Sequence, residues 1–269
     1  MIGSVSAPTG GLDQATASLT NSLRRLSTGL RINSAADDAA GLAIASQMTA
    51  QLGADDQARR NIGASLSLAE TAGSALGQVS DTLQRMRELA VQAANGTNSP
   101  SDRQALQEEF SQLGQSIDQL SAQTQFNGQN LLAGNFTAQV QSGPNAGDSQ
   151  LLALGNASSA GLGIAGLDVT TAAGAASALS SIDQAISNVG SQQSAIGAVQ
   201  AGLTSATANL SGTYENLAAA KSRIADTDYA GESTNLVQAQ VQRQAALKAL
   251  SLYNANQAAV LGLLPTPKG

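Results

Sequence analysis

The sequence predicts a mainly α-helical protein, a long antiparallel helical hairpin or coiled-coil bundle with a small β region at its tip. Three observations favour this fold. The five prolines lie at positions 8, 100, 144, 265 and 267, so the ranges 9–99 and 145–264 lack the strongest helix breaker. Apolar residues recur at intervals of three and four residues in both ranges. Residues 126–173 lose this period and are rich in Gly, Asn, Ser and Thr.

In the first arm the apolar residues form seams, by which we mean stripes along one face of a helix. A break at residues 98–100 separates the first two seams from the third, and Ser101 is the expected N-cap of the helix that follows, with Asp102 near the positive end of its dipole. The predicted helices cover about 52–96 and 101–124. The three seams are Leu12, Leu19, Leu23, Leu26 and Leu30; Ile62, Leu66, Ala69, Gly73, Leu76, Val79, Leu83, Met86 and Ala90; and Leu106, Phe110, Leu113, Ile117 and Leu120.

The return arm repeats this character. Apolar residues at three-four or heptad spacing predict a helix over about 174–223, and a last helix is expected from Glu232 to Leu264. Between the arms, the Asn127-Gly128 pair predicts a tight hairpin turn, because Asn and Gly hold positive φ at both central turn positions most easily. We therefore expect a β region over about 126–173 and no long helix there.

Composition excludes several functions. The chain has no Cys, His or Trp, so a Ser-His-Asp triad, an HExxH zinc peptidase and a disulfide-stapled fold cannot be built. We expect neither enzymatic activity nor a metal or cofactor. The net charge is −6 and no Lys or Arg lies between Arg103 and Lys221, which argues against nucleic acid as a partner. No apolar stretch is long enough to span a membrane, and the first residues lack the features of a cleaved secretory signal.

Three short motifs have both a functional and a structural interpretation. Gly161, Gly163 and Gly166 spell G-x-G-x-x-G, but no strand and helix frame them, which favours loop glycines over nucleotide binding. The Asp226-Thr227-Asp228 run resembles the start of a calcium loop and then lacks the later oxygen ligands. Asp37-Asp38 could form a catalytic carboxylate pair; a solvated or helix-capping pair beside Arg31 is the favoured interpretation.

Four segments carry a resemblance to a known family. They are LSTGLRINSAADDAAGLAIASQM at 26–48, LQRMRELAVQ at 83–92, QTQFNGQNLL at 123–132 and KSRIADTDYA at 221–230. In order and spacing they resemble the signature segments of bacterial flagellins, and the resemblance covers residues 12–264. It implies a subunit of the extracellular flagellar filament, used for motility. The chain passes directly from the tip into the return helix, which resembles a minimal flagellin without large surface insertions. The first residues and the final PTPKG depart from the usual family ends.

The resemblance also implies a division of labour along the chain. Residues 1–50 and 226–269 would pair as helices of the inner filament core, and residues 51–225 would form a rod that carries the β tip. The terminal seams are mainly Ala with scattered Leu, so alone they are expected to be marginal and to fold fully only against neighbouring subunits. The expected subunit-interface residues are Leu19, Leu23, Leu26, Leu30, Arg31, Asp37, Asp38, Leu236, Val241, Leu247, Leu250 and Leu261.

Partners follow from the same resemblance. The chain would bind copies of itself in a helical homopolymer, a flagellar export chaperone, and the hook-associated and cap proteins, and it would be exported through the flagellar apparatus without a cleaved signal. For the vertebrate Toll-like flagellin receptor, motif matching points to Arg85, Leu89 and Glu109. Their alternative interpretation is two solvated surface charges and a partly covered seam residue. Two other functions stay open: a hook-filament junction protein, and a flagellin-like surface adhesin.

Overall fold

The computed structural model describes residues 9–263, with the side chains of residues 9–260. Its helices and strands confirm a mainly α-helical fold with a small β region. Within the described residues the helices are α1 (Gly10–Thr28), α2 (Ala39–Ala94), α3 (Pro100–Gln123), α4 (Ala172–Ala225) and α5 (Tyr229–Leu263). The strands are β1 (Gln125–Phe126), β2 (Gln129–Asn130), β3 (Ala133–Gln141) and β4 (Ser149–Asn156). None of these helices has the length and apolarity needed to cross a bilayer.

The chain divides into two compact units. The terminal unit contains the described residues up to Leu52 together with those from Glu215 onward, and the middle unit is Gly53–Tyr214. Helices α2 and α4 contribute residues to both units, because α2 runs from Ala39 to Ala94 and α4 from Ala172 to Ala225. The predicted helix at about 52–96 is part of a helix that begins at Ala39.

Helix α3 begins earlier than predicted. Ser99 is its N-cap, with Pro100 in the first turn, so the assignment of Ser101 as N-cap is wrong. The Ser99 hydroxyl accepts a hydrogen bond from the Asp102 amide at 3.2 Å, and the Asp102 carboxylate accepts one from the Ser99 amide at 3.0 Å. Proline is tolerated at this point because the amide it lacks would have no partner inside the helix.

The middle unit has one large apolar core. Side chains from α2, α3 and α4 meet there with inward-facing residues of β3 and β4. The seams predicted for α2, α3 and α4 include the large apolar side chains that these helices contribute to the core, except Leu89, so their spacing identified the buried faces. Among its fully buried members are Leu76, Leu83, Met86, Ile117, Leu152 and Ile182.

The small β region consists of two antiparallel hairpins. Strands β1 and β2 pair around Asn127 and Gly128, whose φ angles are 51° and 76°, which confirms the predicted turn. Strands β3 and β4 pair from Gln141 with Ser149 to Ala133 with Asn156. The last strand ends at Asn156, whereas the sequence predicted a β region that extends to about residue 173.

Residues 157–171, which follow the last strand, form a series of turns held on α3. The Gln107 side chain accepts a hydrogen bond from the Val169 amide at 2.7 Å and donates one to the Leu167 carbonyl oxygen at 3.2 Å. The Asp118 carboxylate accepts from the amide and hydroxyl of Ser159, both at 2.8 Å. Two polar side chains of α3 thus supply hydrogen bonds that main-chain groups of this segment would otherwise form with a neighbouring β-strand.

Candidate subunit interface

The two terminal signature segments meet each other inside the terminal unit. The Arg31 amide donates a hydrogen bond to the Ala225 carbonyl oxygen at 2.7 Å, and the Thr227 amide donates one to the Gly29 carbonyl oxygen at 3.0 Å. The Arg31 guanidinium adds a third bond, from Nη2 to the Ile224 carbonyl oxygen at 2.6 Å. Gly29 ends α1 in the left-handed conformation, with φ 72°, and this reversal brings the segment after α1 against the end of α4.

An Asp-x-x-Gly sequence starts a helix on each side of this junction. Asp38 Oδ1 accepts a hydrogen bond from the Gly41 amide at 2.8 Å at the start of α2. Asp228 Oδ1 accepts one from the Ala230 amide at 3.0 Å at the start of α5. At the fourth position a Cβ atom would meet the capping carboxylate, within 3.0 Å of Oδ2 in the case of Gly231. Both glycines therefore make room for the cap, and the capping interpretation of Asp38 is confirmed.

Asp37, its neighbour, organises the loop before α2. Its Oδ2 accepts hydrogen bonds from the Asn33 amide at 3.1 Å and from the amide and hydroxyl of Ser34, both at 2.9 Å. The Ser34 hydroxyl, followed by the Asn33 amide, lowers the pKa of Asp37 below its ordinary value. The nearby cation is Arg24, 3.6 Å away. Arg31, expected beside this pair, forms no ion pair with Asp37 or Asp38 among the described residues; its guanidinium binds the Ile224 carbonyl oxygen of α4.

Helices α1 and α5 pack on each other through few buried side chains. Helix α1 buries Ala15, Leu19 and Ser22. Among the described side chains of α5, only Glu232 and Ala239 are buried. Three of these five are small and one is charged, so the apolar area removed from water is small for a helix of this length.

The expected interface residues differ in exposure. Leu19 is buried, while Leu26, Leu30, Leu236 and Leu250 are half-buried. Leu23, Val241 and Leu247 are exposed, and the side chain of Leu261 lies outside the described residues. Sequence reasoning missed further exposed apolar residues, namely Ile44, Val237, Leu252 and Val260. The signal that could have found them is the surplus of apolar residues on α2 and α5 over what one seam requires.

The three residues expected at the receptor site fall into two environments of the middle unit. Arg85 donates hydrogen bonds from Nε and Nη2 to Glu109 Oε1, at 3.1 and 2.8 Å, and from Nη1 to Glu88. These three side chains are exposed. Leu89 is only 1% exposed and belongs to the core of the middle unit. The interpretation of Leu89 as a partly covered residue is therefore wrong, because α3 and α4 complete the core around this turn of α2.

Comparison with known protein families assigns both ends of the chain. Residues 6–137 match the bacterial flagellin N-terminal helical region, and residues 179–264 match the bacterial flagellin C-terminal helical region. The chain belongs to the bacterial flagellin family. Flagellins are structural subunits of the bacterial flagellar filament, and the predicted resemblance is confirmed.

Individual relatives agree with this assignment. The chain is 42% identical to a flagellin of Halalkalibacterium halodurans over 245 residues, which is 90% of each chain. It is 47% identical to a flagellin of Salmonella muenchen over 161 residues, 60% of this chain and 32% of the Salmonella protein. The chain thus spans about a third of the length of the Salmonella flagellin it matches.

Solved structures show the same fold. Bacillus cereus flagellin is 31% identical, with a TM-score of 0.52 over 60% of this chain and 94% of that chain. A protein of Vibrio parahaemolyticus assigned as a flagellar hook-associated protein is 17% identical, with a TM-score of 0.60 over 71% of this chain and all of that one. The second likeness concerns the fold alone.

Proposed function

We propose that this chain polymerises into a flagellar filament with its terminal unit in the inner core and its middle unit as the surrounding rod. The observation that carries the proposal is the set of exposed apolar side chains on α5. Val241 is 60% exposed and Leu252 is 66% exposed. The described side chains of α5 bury little apolar surface against α1. When a neighbouring subunit covers exposed apolar side chains of this size, the free energy of the assembly falls.

The same imbalance supports coupling between folding of the ends and polymerisation. Ordering a residue costs about 1–2 kcal/mol, whereas full burial of a Leu or Val side chain returns about 1.5–3 kcal/mol. Among the described side chains of α5 only Glu232 and Ala239 are buried, so the α1–α5 pair gains little in a single chain. Contacts with equivalent helices of neighbouring subunits would add burial on further faces, and a heterologous contact that never closes produces a helical filament.

The proposal is tested by replacing Val241 and Leu252 with Ser. Because both side chains are exposed, the unfolding midpoint of the monomer should shift little, whereas the protein concentration needed for filament growth should rise at least about tenfold, equivalent to about 1.4 kcal/mol. Gln244→Ser, an exposed polar change on the same helix, is the matched control and should assemble normally. Electron microscopy measures assembly. If the double variant assembles as the unmodified protein does, α5 is not part of the subunit interface.

Limited trypsin digestion separates the roles of the two units. In the monomer, cleavage is expected first in α1 and α5, at Arg24, Arg243 and Lys248, because these helices have few buried contacts. Arg87, which pairs with Asp183 at 2.6 Å, and Arg103, which donates to the Ala93 carbonyl oxygen at 2.8 Å, should resist. Filaments should protect all of these sites. Equal protection of the terminal sites in monomer and filament would contradict the coupling.

The remaining partners belong to the same proposal. A thinly packed α5 is a segment that an export chaperone could hold before assembly, and the exposed apolar residues of the terminal unit could equally contact hook-associated or cap proteins. Export would then proceed through the flagellar apparatus. Co-purification of the full chain, with and without the Val241 and Leu252 substitutions, against the chaperone of the same bacterium tests this step. An unchanged affinity would place the chaperone contact elsewhere.

Recognition by the Toll-like flagellin receptor rests on Arg85 and Glu109 in this proposal. Both side chains are exposed and already face one another, so a receptor would meet a preformed ion pair, and Leu89 would support it from below. Replacing Arg85 with Ala should weaken receptor binding while the unfolding midpoint stays the same. Arg60→Ala, an exposed change elsewhere on α2, is the control. Absence of receptor binding by the unmodified protein would refute this part.

A further inference from the structure

Asp55, on α2 in the middle unit, is a buried acid. None of its surface is exposed, and neither carboxylate oxygen has a hydrogen-bond partner among the described residues. One helical turn further along α2 begins a small apolar cluster that joins α2, α4 and β3, consisting of Ala58, Ile62, Val140, Leu203 and Leu210. A carboxyl group next to such a cluster is expensive to ionise, since water and donors are both excluded.

The charged groups nearby do not offset the free-energy cost of ionising the Asp55 carboxyl. Asp56 follows on the same helix, and its negative charge acts against ionisation of Asp55. The guanidinium of Arg59 lies over the ring of Tyr214 on α4, 5.8 Å from its centroid. Strand β3, which contributes Val140 to the cluster, contains no charged residue. Burial first, and Asp56 second, raise the pKa of Asp55 above its ordinary value of 3.8.

We propose that Asp55 makes this end of the α2–α4 seam respond to pH, so that the seam is closed while the carboxyl is protonated and opens locally when it ionises. A neutral carboxyl loses far less hydration free energy than a carboxylate when it is transferred out of water. Once ionised, the group is stabilised only by separation of the two helices over a turn or two, which admits water. The device lies in the middle unit and is independent of the filament contacts proposed above.

The direction of the effect follows from linkage. The closed seam holds the proton more tightly than the open one, in which Asp55 has its ordinary pKa. Opening therefore releases a proton at any pH between the two pKa values. The opening constant should rise about tenfold per pH unit from about pH 4 up to the raised pKa of the closed seam, and it should be constant above that pH and below about pH 4.

Hydrogen exchange of the full-length monomer between pH 4 and 8, corrected for the intrinsic pH dependence of exchange, measures this opening. Peptides covering residues 52–62 and 203–214 should exchange with the predicted slope in the unmodified protein. Asp56→Asn, the matched control, should keep the same slope up to a lower pH, because Asp56 contributes to the raised pKa of Asp55. In Asp55→Asn and Asp55→Leu the slope should vanish. A flat profile in the unmodified protein, or a slope that both Asp55 variants retain, would overturn the proposal.

A direct titration keeps the test independent of whether the variants fold. Carbon-13 NMR of the Asp55 carboxyl in the unmodified protein should give a titration midpoint above 3.8, the ordinary value. A midpoint at or below that value would refute the proposal, whatever the exchange of the variants shows.

Discussion

The carboxylate of Asp38 occupies the space that a side chain at Gly41 would need. Its Oδ1 atom accepts the Gly41 amide, and a Cβ atom at position 41 would meet Asp38 on one side and lie 2.7 Å from Ile32 Cδ1 on the other. The cap of α2 and the buried Ile32 therefore both depend on the absence of a side chain at this position.

Gly41→Ala should disturb the terminal unit. Overpacking of this kind costs about 1–3 kcal/mol, so the concentration required for filament growth should rise about tenfold or more. Gly63, also within α2, has no atom within 4 Å of an added Cβ, and Gly63→Ala should instead stabilise the helix by about 0.5–1 kcal/mol. Sedimentation of filaments over a concentration series measures the first effect and urea unfolding the second. Normal assembly of Gly41→Ala would disprove the steric argument.

Leu89→Ala should destabilise the middle unit by about 2–5 kcal/mol, because it leaves a cavity in a close-packed core. Val91, two residues further along α2, is exposed, and Val91→Ala should change the free energy of unfolding by less than about 0.5 kcal/mol. Urea unfolding followed by circular dichroism compares the two variants. Similar small effects would mean that Leu89 is accessible after all, and would restore it as a candidate receptor contact.

Ser99→Ala should raise the pKa of Asp102. The Ser99 hydroxyl, followed by its amide, holds that pKa below the ordinary 3.8. The resulting stabilisation of α3 is present above the ordinary Asp pKa and is lost as the pH falls through the lower folded-state pKa. NMR titration of the Asp102 carboxyl should show a higher midpoint in Ser99→Ala and an unchanged one in Ser101→Ala. An unchanged midpoint in both variants would show that the capping box does not set this pKa.

Gln107→Ala should loosen residues 157–171 from α3. The Gln107 amide satisfies the Val169 amide and the Leu167 carbonyl, and buried main-chain groups left without partners cost about 1–3 kcal/mol each. Hydrogen exchange of this segment should accelerate, while peptides from the β3–β4 hairpin stay protected. Gln104→Ala, an exposed change one turn earlier on α3, provides the comparison. Equal exchange in both variants would show that other contacts hold the segment.

Much of the fold was readable in the sequence because its signals are local. Three-four spacing identified the buried faces of α2, α3 and α4, and Asn127-Gly128 identified a hairpin turn, since each depends only on neighbours along the chain. Element ends were less readable. The sequence pattern predicts a break at Pro100, although proline fits the first turn of a helix, and the start of α2 at Ala39 depends on a cap supplied by Asp38.

The sequence alone was sufficient to identify the family and to locate its two terminal signature segments. Only the tertiary structure decided which apolar residues are buried, because a periodic stripe does not reveal whether a partner covers it. It assigned Leu89 to the core, left Val241 and Leu252 exposed, and paired Arg31 with the Ile224 carbonyl rather than with Asp37. It also placed Asp55 without a donor in a buried position. These outcomes depend on contacts between residues far apart in sequence, which local spacing does not encode.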